Sequence, residues 1–352
     1  MSGYYRRKTE STGCMEFSKI NNIITEQRRI LRCSVNKERI GKRMRTKTKN
    51  KTSDFRKSVP LLLIALPGIV YLIINNYLPM AGLFLALKKY NFMKGIFGSD
   101  WCGFDNFKFL FSTKDAWIMT RNTVLYNLVF IVLGTVLAII VAIFLCELGE
   151  ALRAKLFQSI LILPNMISWV IVAFIVFALL NSDTGFINNS ILKPLGLSEV
   201  SWYTYQNAWP IILVLTFLWK STGYSSIVYM AAISGIDKSL YESASLDGAT
   251  KLQQIFKITL PMLKPTIITM TLMSIGKMFY SDFGLFYQVP QNSGALFPVT
   301  QTIDTYVYRG LMELNNIGMS SAAGFYQSVV GFILVLTANA VVRQLDKDNS
   351  LF

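Results

Sequence analysis

Two lysines stand where a charge is hardest to keep. Lys220 lies about 11 residues from either end of an apolar run at 209–232, and Lys277 about 12 residues into another at 266–286. Runs of about 20 apolar residues are long enough to cross a bilayer as a helix. An ammonium group at that depth costs several kcal/mol unless it faces a cavity or a partner. The two lysines therefore line a polar path through the membrane, or snorkel, or pair with a buried acid such as Asp282. Trp169, Trp219, Tyr224 and Tyr280 lie on these runs or the one before them. Their rings could stack on the apolar C–H faces of sugars, or could pack and anchor the spans. Asn165 follows Pro164 inside a further apolar run. Its amide would line an opening at a kinked backbone, or mend the kink.

The composition excludes several other chemistries. The chain has 352 residues, is 52% hydrophobic and contains no histidine. That removes the commonest general base and metal ligand. Cys14, Cys33, Cys102 and Cys146 are scattered without a CxxC pair, which argues against a structural zinc site or a disulfide framework. Without a clustered carboxylate pair or nucleophile motif, a membrane-embedded enzyme is disfavoured. An ion-coupled secondary transporter or channel is the stronger competing class. Against it, no acid sits securely mid-run and no inverted repeat is visible.

The elements that must position these residues are membrane helices. Six spans are expected, at about 60–78, 123–145, 156–180, 209–232, 266–286 and 324–342. The fold class is all-α integral membrane, because lipid does not tolerate exposed backbone polar groups. Charge sets the orientation. The net charge is +15, and residues 1–58 hold 17 Lys/Arg against 5 acids, so about +3 remains for the rest. A basic segment before the first span marks the cytoplasmic side. Six spans then return the C-terminus to the cytoplasm. The expected division is a basic cytoplasmic extension at 1–58, a transmembrane domain at 59–346 and a cytoplasmic tail at 347–352. The extension is expected to be disordered or a mis-assigned start, with Met44 as the alternative. It suits membrane lipid; nothing else supports nucleic acid. No secretory signal is apparent, since the first apolar run begins near Val59 and is too long for one. Trp202, Tyr203, Tyr205 and Trp209 close an outer loop and are expected at the membrane interface.

One polar stretch interrupts the second half: LYESASLDGATKLQQIFKITLPMLKP, residues 240–265. Apolar residues recur at helical spacing on both sides of Gly248, which predicts two short amphipathic helices joined at a turn. Pro261 and Pro265 are expected to stop the second helix and set the angle of the next span. Alternation of the spans puts this hairpin in the cytoplasm. It would dock on a soluble partner, or be an ordinary surface loop.

Glu242, Ala244, Asp247, Gly248, Ala249, Phe256 and Pro261, with Pro265, fit the EAA signature of bacterial ABC importer permeases. The stretch WKSTGYSSIVYMAAISGIDKSLYESASLDGA, with WCGFDNFKFLF, LPNMISWVI and TQTIDTYVYRGL elsewhere, resembles the sugar branch and its polysaccharide (Lpl-type) permeases over roughly residues 58–346. Ser243 departs from the family, which usually has the first of two alanines there; Ser is small enough to keep docking. The resemblance implies a type I importer half of about six helices, paired with a homologous second permease. It implies that the loop at 238–265 is a coupling helix docked on a cytoplasmic ABC ATPase dimer, with Glu242 in charge contact and Gly248 making the turn. An extracellular solute-binding protein would deliver an oligosaccharide. This chain has no GxxxxGK[ST] loop, so ATP and Mg would belong to the partner ATPase and no cofactor to this chain. Lys220 and Lys277 motivate an acidic substrate, with neutral glycans equally open.

Overall fold

The computed structural model describes residues 51–149 and 152–345. Most of the basic extension and the tail at 347–352 lie outside the described residues. The chain divides into two units, Met1–Tyr77 and Leu78–Phe352. In the first, helix α1 (Lys51–Leu72) runs through Pro60 and Pro67 and continues as a π turn at Ile73–Tyr77.

The second unit starts with a 3-10 turn, Ala81–Leu87, and a two-residue antiparallel ribbon that pairs β1 (Lys88–Lys89) with β2 (Asp100–Trp101). This ribbon departs from a purely helical fold. Asn106, at the start of α2 (Asp105–Ser112), holds it by donating to the Ala86 and Lys88 carbonyls at 2.8 and 3.1 Å. The long helices come next in the chain: α3 (Lys114–Glu147), α4 (Leu152–Met166), α5 (Trp169–Leu180) and α6 (Trp209–Ser234). Two short helices, α7 (Lys238–Leu246) and α8 (Lys251–Gln254), form the hairpin. A π turn at Ile255–Thr259 carries α8 directly into α9 (Leu260–Gly276). Finally α10 (Ile303–Met312) lies ahead of α11 (Ile317–Leu345). Among the described residues five helices are long and apolar enough to cross a membrane, or six if one bent pair counts as a single span.

Three expectations need correction. The third span is not a kinked rod: Lys155–Met166 and Trp169–Leu180 meet at 96°. Pro164 removes a helical donor just before the break, and Ser168 caps α5 beyond it by accepting from the Ile171 N–H at 3.4 Å. The fifth span begins at Lys251 and ends at Gly276 rather than running over 266–286. Neither Pro261 nor Pro265 stops it. Pro261 and Pro265 both lie within the continuous helix, and the π turn at Ile255–Thr259 directly before Pro261 absorbs the change of register. The helix ends at Gly276 because neighbouring side chains capture the backbone beyond it. Gln327 donates to the Phe279 carbonyl at 2.7 Å, and Asp304 accepts from the Ser281 N–H at 2.6 Å. Trp209 is not an interface anchor either. It is fully buried, and its Nε1 donates to the Trp202 carbonyl at 2.7 Å.

The core falls into three clusters. One joins Tyr126 and Phe130 of α3 to α5, to Trp209 and Leu213 of α6, and to Leu285–Leu296. A second joins Met119 to Ile303, Tyr306, Met319 and Ala323. The third packs Ala138, Ile139 and Ala142 of α3 against Tyr229 and Leu263. Helices α4 and α6 are in close contact at Gly223, where an added Cβ would overlap the Leu161 carbonyl. Gly134 has room, its nearest such neighbour being Phe217 at 3.8 Å. Gly223→Ala is therefore expected to cost about 1–3 kcal/mol or more by forcing the helices apart. Gly134→Ala should be neutral. Melting temperatures of the two detergent-solubilised variants test the contrast.

Candidate functional site

The hairpin is built by its caps. Asp237 accepts from the Ser239 N–H at 3.0 Å and starts α7. That backbone donor also holds the Asp237 carboxyl below the usual carboxylate range. Helix α7 closes on Gly248 at φ +79°, a conformation that costs glycine little. The Gly248 N–H reaches the Ser245 carbonyl at 3.1 Å and the Ala249 N–H reaches the Ala244 carbonyl at 2.9 Å, the two bonds of a Schellman end. Thr250 and Gln253 then form a capping box that opens α8. Buried Gln254 crosses the turn, donating to Ser245 Oγ at 2.9 Å and to the Ala249 carbonyl at 3.4 Å. Tyr241 and Thr259 share a hydroxyl bond of 2.9 Å. The result is a fixed hairpin with an uncovered apolar stripe. Leu246 is 90% exposed, and Leu252 and Phe256 are exposed with it. Glu242, Ser243, Asp247 and Pro261 are exposed as well, while Ala244 and Ala249 are half-buried.

A second constellation lies where the broken third span meets the end of α9. The Lys220 ammonium, 8% exposed on α6, donates to the backbone carbonyls of Pro164, Asn165 and Ile167. It also stands 5.1 Å from the centroid of the Trp169 ring. Trp169 Nε1 in turn donates to Asp282 Oδ2 at 2.8 Å, and Asp282 Oδ1 accepts from the Gly284 N–H at 3.0 Å. A Cβ on Gly284 would overlap the Trp169 ring, so the two breaks fit together only with glycine there. Beside this junction a cavity of about 280 Å³ opens between α3, α6 and α9. Lys277, Tyr280 and Asp282 line it, together with Asn127, Thr135, Ser221, Ser225 and Ser274. Phe130 and Phe217, stacked at 3.9 Å, also line it. Among the described residues no group of three His, Cys, Asp or Glu side chains is placed to hold a metal.

Comparison with known proteins fits this geometry. The family described as "binding-protein-dependent transport system inner membrane component" matches residues 134–347. Protein LplB of Bacillus subtilis (strain 168) is 33% identical over 293 residues, covering 82% of this chain and 90% of LplB. The polygalacturonan/rhamnogalacturonan transport system permease protein YteP of the same organism is 32% identical, covering 82% and 89%. The chain belongs to this permease family. A chain from the crystal structure of a bacterial alginate ABC transporter, in complex with an alginate pentasaccharide-bound periplasmic protein, superposes with a TM-score of 0.76 at 32% identity. It covers 85% of this permease and 99% of that chain.

Of the residues singled out on the spans, the permease brings Lys277, Tyr280 and Asp282 to one cavity and ties Trp169 to it through Asp282. Lys220 and Asn165 do not line it: the lysine head and the Asn165 carbonyl are bonded to each other. Trp219 and Tyr224, exposed on α6 at 46% and 59%, are not among the residues that line the cavity. The amide and hydroxyl groups that complete the cavity were legible as spacing. Asn127 with Thr135 on α3, and Ser221 with Ser225 on α6, recur at four- and eight-residue intervals on one helical face. Lys220→Met in the permease removes the ammonium from three carbonyls; that of Pro164 keeps the Ile167 N–H at 3.3 Å, while those of Asn165 and Ile167 lose this donor, at about 1–3 kcal/mol each when buried. Faster hydrogen exchange over residues 165–172 and a lower melting temperature are expected. Lys277→Met, which removes a side chain exposed to the cavity, should change neither.

Proposed function

We propose that this permease is one half of the path of an ATP-driven importer of oligosaccharides whose sugars carry carboxylates. The observation that carries the substrate class is Lys277, exposed in a cavity otherwise rich in hydroxyl and amide groups. No ion pair among the described residues uses it. Asp282, the acid of the same cavity, is already engaged by Trp169 and the Gly284 N–H. A uronate would supply the missing counter-charge, and its hydroxyls would meet Ser221, Ser225, Ser274 and Tyr280. The reading is supported by one relative, YteP, whose name specifies polygalacturonan, and by a structural neighbour involved in the import of the acidic polysaccharide alginate.

The partners are those of the family. A homologous second permease would complete the path, and an extracellular solute-binding protein would deliver the sugar. A cytoplasmic ATPase pair, holding ATP and Mg, would receive the hairpin. Both termini of the chain are then cytoplasmic. The uncovered stripe of Leu246, Leu252 and Phe256 is the apolar part of the ATPase contact, and exposed Glu242 its charged part. The test uses the assembled transporter in proteoliposomes. Glu242→Lys or Gly248→Pro should lower substrate-stimulated ATPase activity and uptake at least tenfold with membrane insertion intact; coupled transport at the normal rate in both variants would sink the assignment. Lys277→Met should depress uptake of a uronate oligosaccharide and spare a neutral one of equal length. Equal loss for both substrates would remove the acidic reading and leave the importer in place.

A further inference from the structure

We infer that the cleft between the hairpin and the ends of α3, α4 and α6 holds an anionic phospholipid. The inference rests on the orientation proposed for the importer, which puts this end of the bundle at the inner leaflet. The cleft has a volume of about 810 Å³, and its walls combine apolar side chains with three lysines. Ile143 of α3, with Met230 and Ile233 of α6, belongs to the last apolar turns of two membrane-crossing helices. Immediately outside those turns come Lys155 of α4, Lys238 of α7 and Lys251 of α8. An inner-leaflet phospholipid has the same profile, with its acyl chains at the depth of the isoleucines and its phosphate where the lysines begin.

The charge balance points the same way. Lys251 pairs with Glu147 at 3.1 Å, while Lys155 and Lys238 enter no ion pair among the described residues. The described lining therefore carries two uncompensated positive charges, which a zwitterionic headgroup neutralises poorly and an anionic one well. A soluble phosphate would satisfy the lysines but leave Ile143, Met230 and Ile233 against water, so the apolar wall selects a lipid. The arrangement also has a mechanical side. Two of the lysines belong to the hairpin and the third to α4, so one phosphate bound among them ties the hairpin to the body of the permease. It competes with Glu147 for Lys251 as it does so.

The full transporter, purified with its partner subunits and stripped of lipid in detergent, provides the test. It is titrated with phosphatidylglycerol or with phosphatidylcholine, and lipid retained on the permease is read by native mass spectrometry. Phosphatidylglycerol should be retained and phosphatidylcholine should not. Lys155→Gln and Lys238→Gln, both at exposed and unpaired positions, should each weaken retention about fivefold. Glu147→Gln should strengthen it by releasing Lys251. The same substitution at Lys108 and Lys114, away from the cleft, should have no effect. Equal retention of the two lipids, or unchanged retention in both cleft variants, overturns the proposal. So does displacement of the bound lipid by glycerol phosphate or inorganic phosphate, which would make this a site for soluble anions. The readout is bound lipid rather than uptake, so it stands or falls independently of which sugar is carried.

Discussion

An ammonium ion gripped by three backbone carbonyls is the interaction on which the middle of this permease depends. Breaking a helix inside a bilayer strands carbonyl groups with no water to satisfy them. Burying a lysine at the same depth strands a charge. Either defect alone is costly, and Lys220 with the Pro164–Ile167 turn cancels both. Its ammonium donates to three carbonyls at the 96° bend, and the Pro164 carbonyl also accepts from the Ile167 N–H at 3.3 Å. The bend aims Trp169 at Asp282, and Asp282 organises the turn after α9 by accepting from Gly284 and Leu285. Two interrupted spans thus meet at a point fixed from a third.

The polar outer segments serve the same junction from the other side. Asp304 and Gln327 hold the backbone of 279–281, where α9 has ended. Thr123 supports them by accepting from the Ile303 N–H, and Asn122 by donating to the Gln301 carbonyl at 3.0 Å. The TQTIDTYVYRGL stretch is therefore a bracket for the cavity rather than a loose loop. Irregular backbone at membrane depth survives here because side chains from α3, α10 and α11 replace the missing helical bonds.

How much of this was legible in the sequence depends on range. The hairpin was readable because its signals are local: a glycine at the turn and amphipathic spacing on either side. The number of spans was readable because hydrophobic length is local too. The two breaks were not. Pro164 marked a kink, but nothing within a few residues of it says that a lysine 56 positions later will receive its carbonyl. The end of α9 was missed for the same reason, since Met278 and Phe279 continue an apolar pattern and the groups that interrupt it come from α10 and α11. Prolines misled in the opposite direction: Pro261 and Pro265 look like stops, and a π turn lets the helix pass them. Lys220 and Lys277 had equal standing as mid-span charges. Only the fold separates the one that holds backbone from the one left facing the cavity.

That uninterrupted passage gives the hairpin a lever. From Lys251 to Gly276 the chain is 26 helical residues, about 39 Å at 1.5 Å per residue. One end is the second arm of the hairpin. The other abuts Lys277, Tyr280 and Asp282 at the cavity wall. A rod of that length needs no relay: a tilt of about 5° at the hairpin moves its far end by about 3 Å, close to the length of one hydrogen bond. Had the prolines ended the helix, the same push would have been spent in bending a loop.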